Sequence, residues 1–393
     1  MLRHKYSILI LLGLLVNFYF LFIYSVVPKS DFEQDYSAAI RLLHGLSIYN
    51  EGVNGHPPFN ALFFSPLTFL PFQGAFIVLG SLSLAVLWLN ALMIENGLGL
   101  NRTSSHIIFA FSLFWPATLS LICLGQSSAL WGGAVTAGWL CEKRNRPIAA
   151  GIFLGFAILI KLIPALIVIM WYLNKRHLAA LSATMVVFAG FLLMLALVGF
   201  DDIMYFFFTR APGNTSFWID FYGNVSISSA AEKLFGSNGG FSKSLIEAPI
   251  LSRFIAVIGC SGIVLTAMII SSIRPTEETK WFNDYRTALV IVTMLLVSPI
   301  TWEHYYVVLL LPLALLLSTA DKENTITLKY NNWILFSVLL LFIPLAVYAL
   351  TGPDPNLWKE QPVTIQLLAL TPTIGLFILW TLLTRKILIK INR

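Results

Sequence analysis

From Ser7 to Val27 the chain carries no charged side chain, and apolar stretches of similar length recur almost to the C-terminus. A run of about 20 such residues is what a helix needs to cross the hydrocarbon core of a bilayer. Inside lipid every backbone N–H and C=O must be bonded within the segment, which leaves helices for a chain patterned like this one. Only 11% of the residues are charged, against about 25% in a soluble domain. The sequence therefore predicts an all-α polytopic membrane protein forming one domain over 1–393. It should have about 10–12 membrane segments, one of them broken or folded as a hairpin, and extracytoplasmic loops with short surface helices.

The net charge of +6 fits basic loops retained on the cytoplasmic side, and nucleic acid is not an expected partner. Cys123, Cys141 and Cys260 lie in or beside apolar segments, so no disulfide framework is expected. The first segment follows Arg3, His4 and Lys5, is long enough to span, and shows no small-residue cleavage site; it reads as an uncleaved helix. Further spans are expected near 72–94, 105–124, 128–140, 178–200, 250–273, 287–300, 304–317, 333–350 and 363–383. Residues 50–72 hold Pro57, Pro58, Pro66 and Pro71, too many for one straight helix, and predict a re-entrant or surface segment. Residues 201–249 form the largest hydrophilic loop.

The stretch Pro147–Leu173 decides the topology. Lys143, Arg144 and Arg146 precede it, Lys175, Arg176 and His177 follow it, and Lys161 and Pro164 interrupt it. As one span it distributes 11 Lys and Arg inside and 13 outside; as a hairpin it distributes 17 inside and 8 outside. The positive-inside rule selects the hairpin, with both termini cytoplasmic. Twelve of the nineteen carboxylates then fall outside, on the face that also carries Gln126, the Lys161 tip, the 201–249 loop and His304.

On that face Asp31–Tyr49 carries three carboxylates in five positions. Ser30 and Glu33 fit a capping box; Tyr36, Ala39, Ile40, Leu43 and Leu46 recur at the period of one helix face; Gly45 ends the run. A short surface helix with acids at its start is predicted. Asp31 is placed to deprotonate a hydroxyl beside a lipid-borne substrate, or else caps the helix. No His, Cys or Asp cluster has metal-ligand spacing, so neither a metal nor a cofactor is expected.

Asp31-Phe32 with Tyr36, Ala38-Ala39, Leu42-Leu43, Gly45 and Tyr49 resembles the first-loop signature of the family 87 glycosyltransferases. Pro57-Pro58 with Pro66-Leu67, Gly125-Gln126-Ser127, Ala150-Gly151 with Gly155 and Lys161-Leu162-Ile163-Pro164, and Ser298-Pro299-Ile300 with Trp302 and His304 are similar to the later motifs, in the same order. His56 stands where an aromatic is commoner. The resemblance implies a GT-C-type transmembrane helical bundle. It also implies inverting, metal-independent transfer of a hexose, mannose above all, from a polyprenyl-phosphate-sugar donor to a glycolipid or glycan acceptor, within the cell membrane and on its extracytoplasmic face.

The resemblance makes Asp31 the general base. Asp35, one turn on, is the second candidate, against a solvated surface acid. Lys161 is expected on the donor phosphate, since intramembrane charges are functional by default, against pairing with a carboxylate or helix end. His304 and Glu303 are expected near the phosphate or acceptor, against an interfacial histidine beside a Trp302 belt. Gln126, Arg210, Tyr36, Trp302 and His56 complete the set expected around donor and acceptor. The plain alternatives are a helix cap for Gln126, an exposed surface cation for Arg210, and packing for Tyr36 and Tyr49. The competing class is a polytopic transporter or flippase, in which Lys161 would line a pathway.

Overall fold

The computed structural model describes residues 2–27, 31–49, 54–237, 240–273, 281–320, 327–351 and 360–391. Among them the regular structure is helical throughout, with no strand. The chain forms two compact units, Met1–Asn214 and Thr215–Arg393.

The first unit comprises α1 (Leu2–Tyr24), α2 (Asp31–Leu43), α3 (Pro58–Phe64), a 3₁₀ turn (Ser65–Phe69), α4 (Phe72–Leu98), α5 (Arg102–Phe114), α6 (Pro116–Leu124), α7 (Ser128–Lys143), α8 (Pro147–Ile160), α9 (Ala165–Leu173) and α10 (His177–Tyr205). Helix α7 lies at its centre, buried from Ser128 to Leu140. The span expected at 105–124 is instead two helices bent by 59°. The cause is Pro116, which lacks an N–H and holds Trp115 extended at φ −77°, ψ 132°.

Helix α8 runs parallel to α10. A Cβ on Gly151 would meet Ala179 O and Ser182, one on Gly155 would meet Ala183 O and Val186, and Gly190 packs on Leu159. Helix α9 turns into α10 through Asn174–Arg176 and runs antiparallel to it: Tyr172 meets His177 ring to ring at 5.2 Å, and Val168, Ile169 and Tyr172 share a groove with Leu178, Leu181 and Thr184. Pro147–Leu173 is therefore a hairpin. Its tip is an extended Lys161 at φ −142°, ψ 127°. Both basic clusters sit at its open end, where Arg176 Nε pairs with Glu142 Oε1 at 2.9 Å.

Five helices are long and apolar enough to cross a membrane among the described residues, or six if the bent α5–α6 pair is one span. Pro147–Ile160 is shorter than a span, while Glu303–Ser318 and Asn331–Ile343 are apolar parts of the longer helical runs Glu303–Ala320 and Thr327–Thr351. The stretch expected to cross at 287–300 is α14 (Phe282–Val297), buried on all sides from Tyr285 to Leu296. The 201–249 region is also more ordered than a hydrophilic loop. Helix α10 bends at Gly199 (φ 83°) and continues past Asp202 into a π-wound turn, Phe206–Arg210, and α11 (Ala211–Trp218). Ser226 then caps α12 (Ile227–Phe235) by accepting from Ser229 N at 3.1 Å.

The second unit packs α13 (Pro249–Ser272), α15 (Leu310–Ala320), α16 (Thr327–Thr351), α17 (Val363–Gln366) and α18 (Thr371–Ile391) with α14. Trp380 Nε1 of α18 donates to Thr293 Oγ1 of α14 at 3.0 Å, and Ser337 Oγ of α16 donates to Gly375 O of α18 at 2.8 Å.

Candidate active site

Helix α2 is fixed from both ends. Phe32 is fully buried among Tyr36, Phe64, Phe72 and Phe76, with ring centroids 5.2–5.9 Å away. Gly45 (φ 65°) stops the helix, and Leu46 N reaches back to Arg41 O at 2.9 Å, as in a Schellman turn. Ser30, and with it the expected capping box, lies outside the described residues.

Gly125 brings the second element in. It is left-handed at φ 65°, and a Cβ there would lie 2.6 Å from Phe32 Cβ and 2.7 Å from Phe76. Only glycine allows both the turn and the close approach. The turn carries Gln126, 3% exposed, onto α2, where its Nε2 donates to Asp31 Oδ2 at 2.5 Å. Gln126 is thus a side-chain partner of Asp31. Asp31 stays half-exposed, and its Oδ1 accepts from Gln34 Nε2 at 3.4 Å. A carboxylate oriented by two amides and still reachable is suited to taking a proton from a hydroxyl.

Asp35 corrects the expectation of a solvated acid: it is 2% exposed. Residues 54–57 fold over α2 and cover it. His56 Nδ1 lies 2.8 Å from Asp35 Oδ1, and Asn60 Nδ2 donates to the same oxygen at 3.4 Å. The covering loop is held by its backbone. Gln34 Oε1 accepts from Gly55 N at 3.2 Å, Asn214 Nδ2 donates to Gly55 O at 3.0 Å, and Tyr49 OH donates to His56 O at 2.8 Å. Arg210 Nε donates to Asn54 O at 2.7 Å, so this cation braces the loop and is not a bare surface charge. Burial pushes the Tyr49 hydroxyl above the usual tyrosine value, with Asp202 and Asp35 adding to the shift and Arg210 opposing it. Tyr36 packs as well as bonds, its OH donating to Leu70 O at 2.8 Å.

Asp202 is a member that sequence reasoning missed. Its carboxylate accepts from Ser47 Oγ at 2.6 Å and Ile48 N at 2.9 Å, pinning the chain after α2. The available signal was a carboxylate pair, Asp201-Asp202, closing a long apolar run. Lys161 is half-buried at the hairpin tip. It lies at the same end of the unit, because Phe156 of α8 meets Phe59 and Phe63 of α3 at 6.4 and 5.6 Å. The described residues hold no group of three His, Cys, Asp or Glu placed to share a metal.

Trp302, Glu303 and His304 belong to the second unit. His304 is 2% exposed, buried in the first turn of the 3₁₀ helix Glu303–Leu309; it is not an interfacial side chain. Trp302 packs edge-on against Trp218 and Phe221, each at 5.6 Å. The organiser of this segment is Asn224, fully buried. Its amide donates to Trp218 O and Pro299 O, each at 3.1 Å, and accepts from Thr301 N at 3.1 Å and Ser226 N at 3.2 Å. Lys233 Nζ donates to Asn224 O at 2.5 Å and Tyr222 O at 3.3 Å. Burial pushes this ammonium down to about 7, with Asp220 opposing the shift, and raises the Asp220 carboxyl in turn.

Residues 55–299 match the sequence model of Glycosyltransferase family 87. The match holds His56, Gln126, Lys161 and Arg210; Asp31 and Asp35 precede it, and Trp302, Glu303 and His304 follow it. Over 323 residues the chain is 23% identical to a polyprenol-phosphate-mannose-dependent alpha-(1-2)-phosphatidylinositol pentamannoside mannosyltransferase of Mycobacterium tuberculosis (strain CDC 1551 / Oshkosh). That alignment takes in 77% of this chain and 66% of the length of the relative. With the family model matching more than half of its residues, the chain belongs to glycosyltransferase family 87.

Proposed function

We propose that this protein is a membrane glycosyltransferase. It moves a hexose, mannose by analogy with the relative, from a polyprenyl-phosphate-sugar donor to a glycolipid or glycan acceptor, with inversion and with Asp31 as general base. The observation that carries the reading is the 2.5 Å bond from Gln126 to a half-exposed Asp31. It joins two motifs ninety-five residues apart at one end of a lipid-spanning bundle.

The orientation follows from charge. The basic clusters at the open end of the hairpin are expected on the cytoplasmic side, which assigns the α2 end to the extracytoplasmic side. A polyprenyl donor keeps its chain in the bilayer and its sugar phosphate at the boundary, where α2 would meet it. The acceptor hydroxyl loses its proton to Asp31 as it attacks the anomeric carbon. The bond to the donor phosphate breaks on the opposite face of the sugar, and polyprenyl phosphate leaves with the electron pair. Charge building on that phosphate calls for fixed donors and cations, and Lys161 at the hairpin tip is the proposed counter-charge.

The test is transfer of labelled mannose from polyprenyl-phosphate-mannose to a glycolipid acceptor by the purified protein in liposomes. Formation of the labelled product supports the reading. Movement of intact donor between leaflets without transfer would assign a flippase instead.

A further inference from the structure

We propose that His56, held by Asp35, is a ligand of the donor phosphate; the assignment rests on the polyprenyl-phosphate donor proposed above. Four observations lead to it. First, Asp35 is a carboxylate 2% exposed, and a buried charge needs a partner. The partner built for it is His56 Nδ1 at 2.8 Å, supported by Asn60 Nδ2 at 3.4 Å. Second, a carboxylate at Nδ1 fixes the proton there and leaves Nε2 for a ligand. Nε2, across the ring from Asp35, has no protein hydrogen bond among the described residues, while the side chain keeps 13% of its surface. Third, the backbone on either side is tied. His56 N bonds Asn54 Oδ1 at 2.9 Å, His56 O bonds Tyr49 OH at 2.8 Å, and two prolines follow. The ring is therefore set before any ligand arrives, which lowers the ordering cost of binding.

Fourth, the dyad is wired to Asp31. Gln34 donates to Asp31 Oδ1 and accepts from Gly55 N, and Asp31 and Asp35 are one helical turn apart, about 6 Å along α2. One turn thus offers a carboxylate for the acceptor hydroxyl beside a carboxylate-backed imidazole. A neutral hydroxyl needs no such backing. An imidazole that carries a second proton on Nε2 shares its charge between Asp35 and a ligand anion, and a phosphate oxygen is the anion this chemistry requires. The resulting charge-assisted bond is of the stronger kind. The position is also where this chain departs from the aromatic expected before Pro57.

The experiment measures binding of polyprenyl phosphate and of the uncharged polyprenol to the protein in nanodiscs, with the unfolding temperature of each variant as a fold control. Wild type should prefer the phosphate. His56→Asn places an amide where Nδ1 was and nothing where Nε2 was, so it should keep its unfolding temperature and lose roughly ten- to hundredfold of that preference. His56→Gln, whose amide reaches the Nε2 position, should recover part of it. If wild type prefers the phosphate and His56→Asn retains the full preference, the His56 assignment is overturned and the donor reading stands. If His56→Asn and His56→Gln both lose the preference equally and unfold earlier, His56 is only structural. If wild type shows no preference for the phosphate, both readings fall.

Discussion

Asp31 and Asp35 lie four residues apart on one helix, and their surroundings separate them. Asp31 is half-exposed and held by two amides, whereas Asp35 is enclosed and held by an imidazole. The sequence distinguishes them poorly, because Asp35 is hidden by residues 54–57, whose path over α2 depends on bonds from Tyr49, Arg210 and Asn214. The Gln126 contact was equally out of reach, since a Gly-Gln turn reads as a helix boundary until its partner strand of chain is known. Gln126→Leu should lower kcat by about tenfold while leaving KM for donor nearly unchanged, the loss expected when an oriented base is left loose; an equal rise in KM would argue that Gln126 binds substrate instead. Asn224 carries no signal in the sequence that separates it from a surface amide, yet its side chain is consumed inside the protein. Beneath it, Lys233 makes the second unit sensitive to pH. Below about 7 the ammonium is charged in both folded and unfolded chains, and the folded form bears the burial cost. Between about 7 and the ordinary 10.5 the folded form releases the proton that the unfolded form keeps, so stability rises with pH across that window. The unfolding temperature in detergent should therefore climb between pH 7 and 10, and Lys233→Met should flatten the climb. Equal slopes would remove Lys233 as its source.

At the scale of elements, the hairpin was legible because two basic clusters flank an apolar stretch interrupted by Lys161 and Pro164, and charge cannot be left on the wrong side at no cost. The glycines that let it pack were visible as a motif, but the helix they pack against was not. Gly151 and Gly155 bring α8 close enough to touch the α10 backbone. Gly151→Ala would put a Cβ 2.6 Å from Ala179 O, and should destabilise the protein by about 1–3 kcal/mol, read as earlier thermal unfolding. An unchanged unfolding temperature would mean that the α8–α10 contact is looser than described. The helical course of 201–218 was not legible. Polar and aromatic residues with Pro212 and Gly213 look like a loop, and it is the continuation of α10 past Gly199 that keeps them wound. The ten to twelve expected segments exceed the helices of spanning length among the described residues because apolar content does not fix where a helix ends: α14 is apolar and buried but has only 16 residues.

For the whole molecule, orientation and chemistry can be tested separately. With the native cysteines replaced, a cysteine at exposed His44 should react with an impermeant reagent from outside the cell, and cysteines at exposed Arg144 and Lys175 should react only after the membrane is opened. The reverse pattern would invert the topology and move the α2 end to the cytoplasm. The central claim is that Asp31 takes the proton from the acceptor, and the most direct measurement compares single-turnover transfer and donor binding in Asp31→Asn and Asp35→Asn. An asparagine at 31 keeps the shape and the bond to Gln126 but accepts no proton. Asp31→Asn should lose at least about a hundredfold in rate, within the range general-base help supplies, with donor affinity intact, and Asp35→Asn should lose far less in rate. An Asp31→Asn protein that transfers sugar at close to the wild-type rate would contradict the central claim.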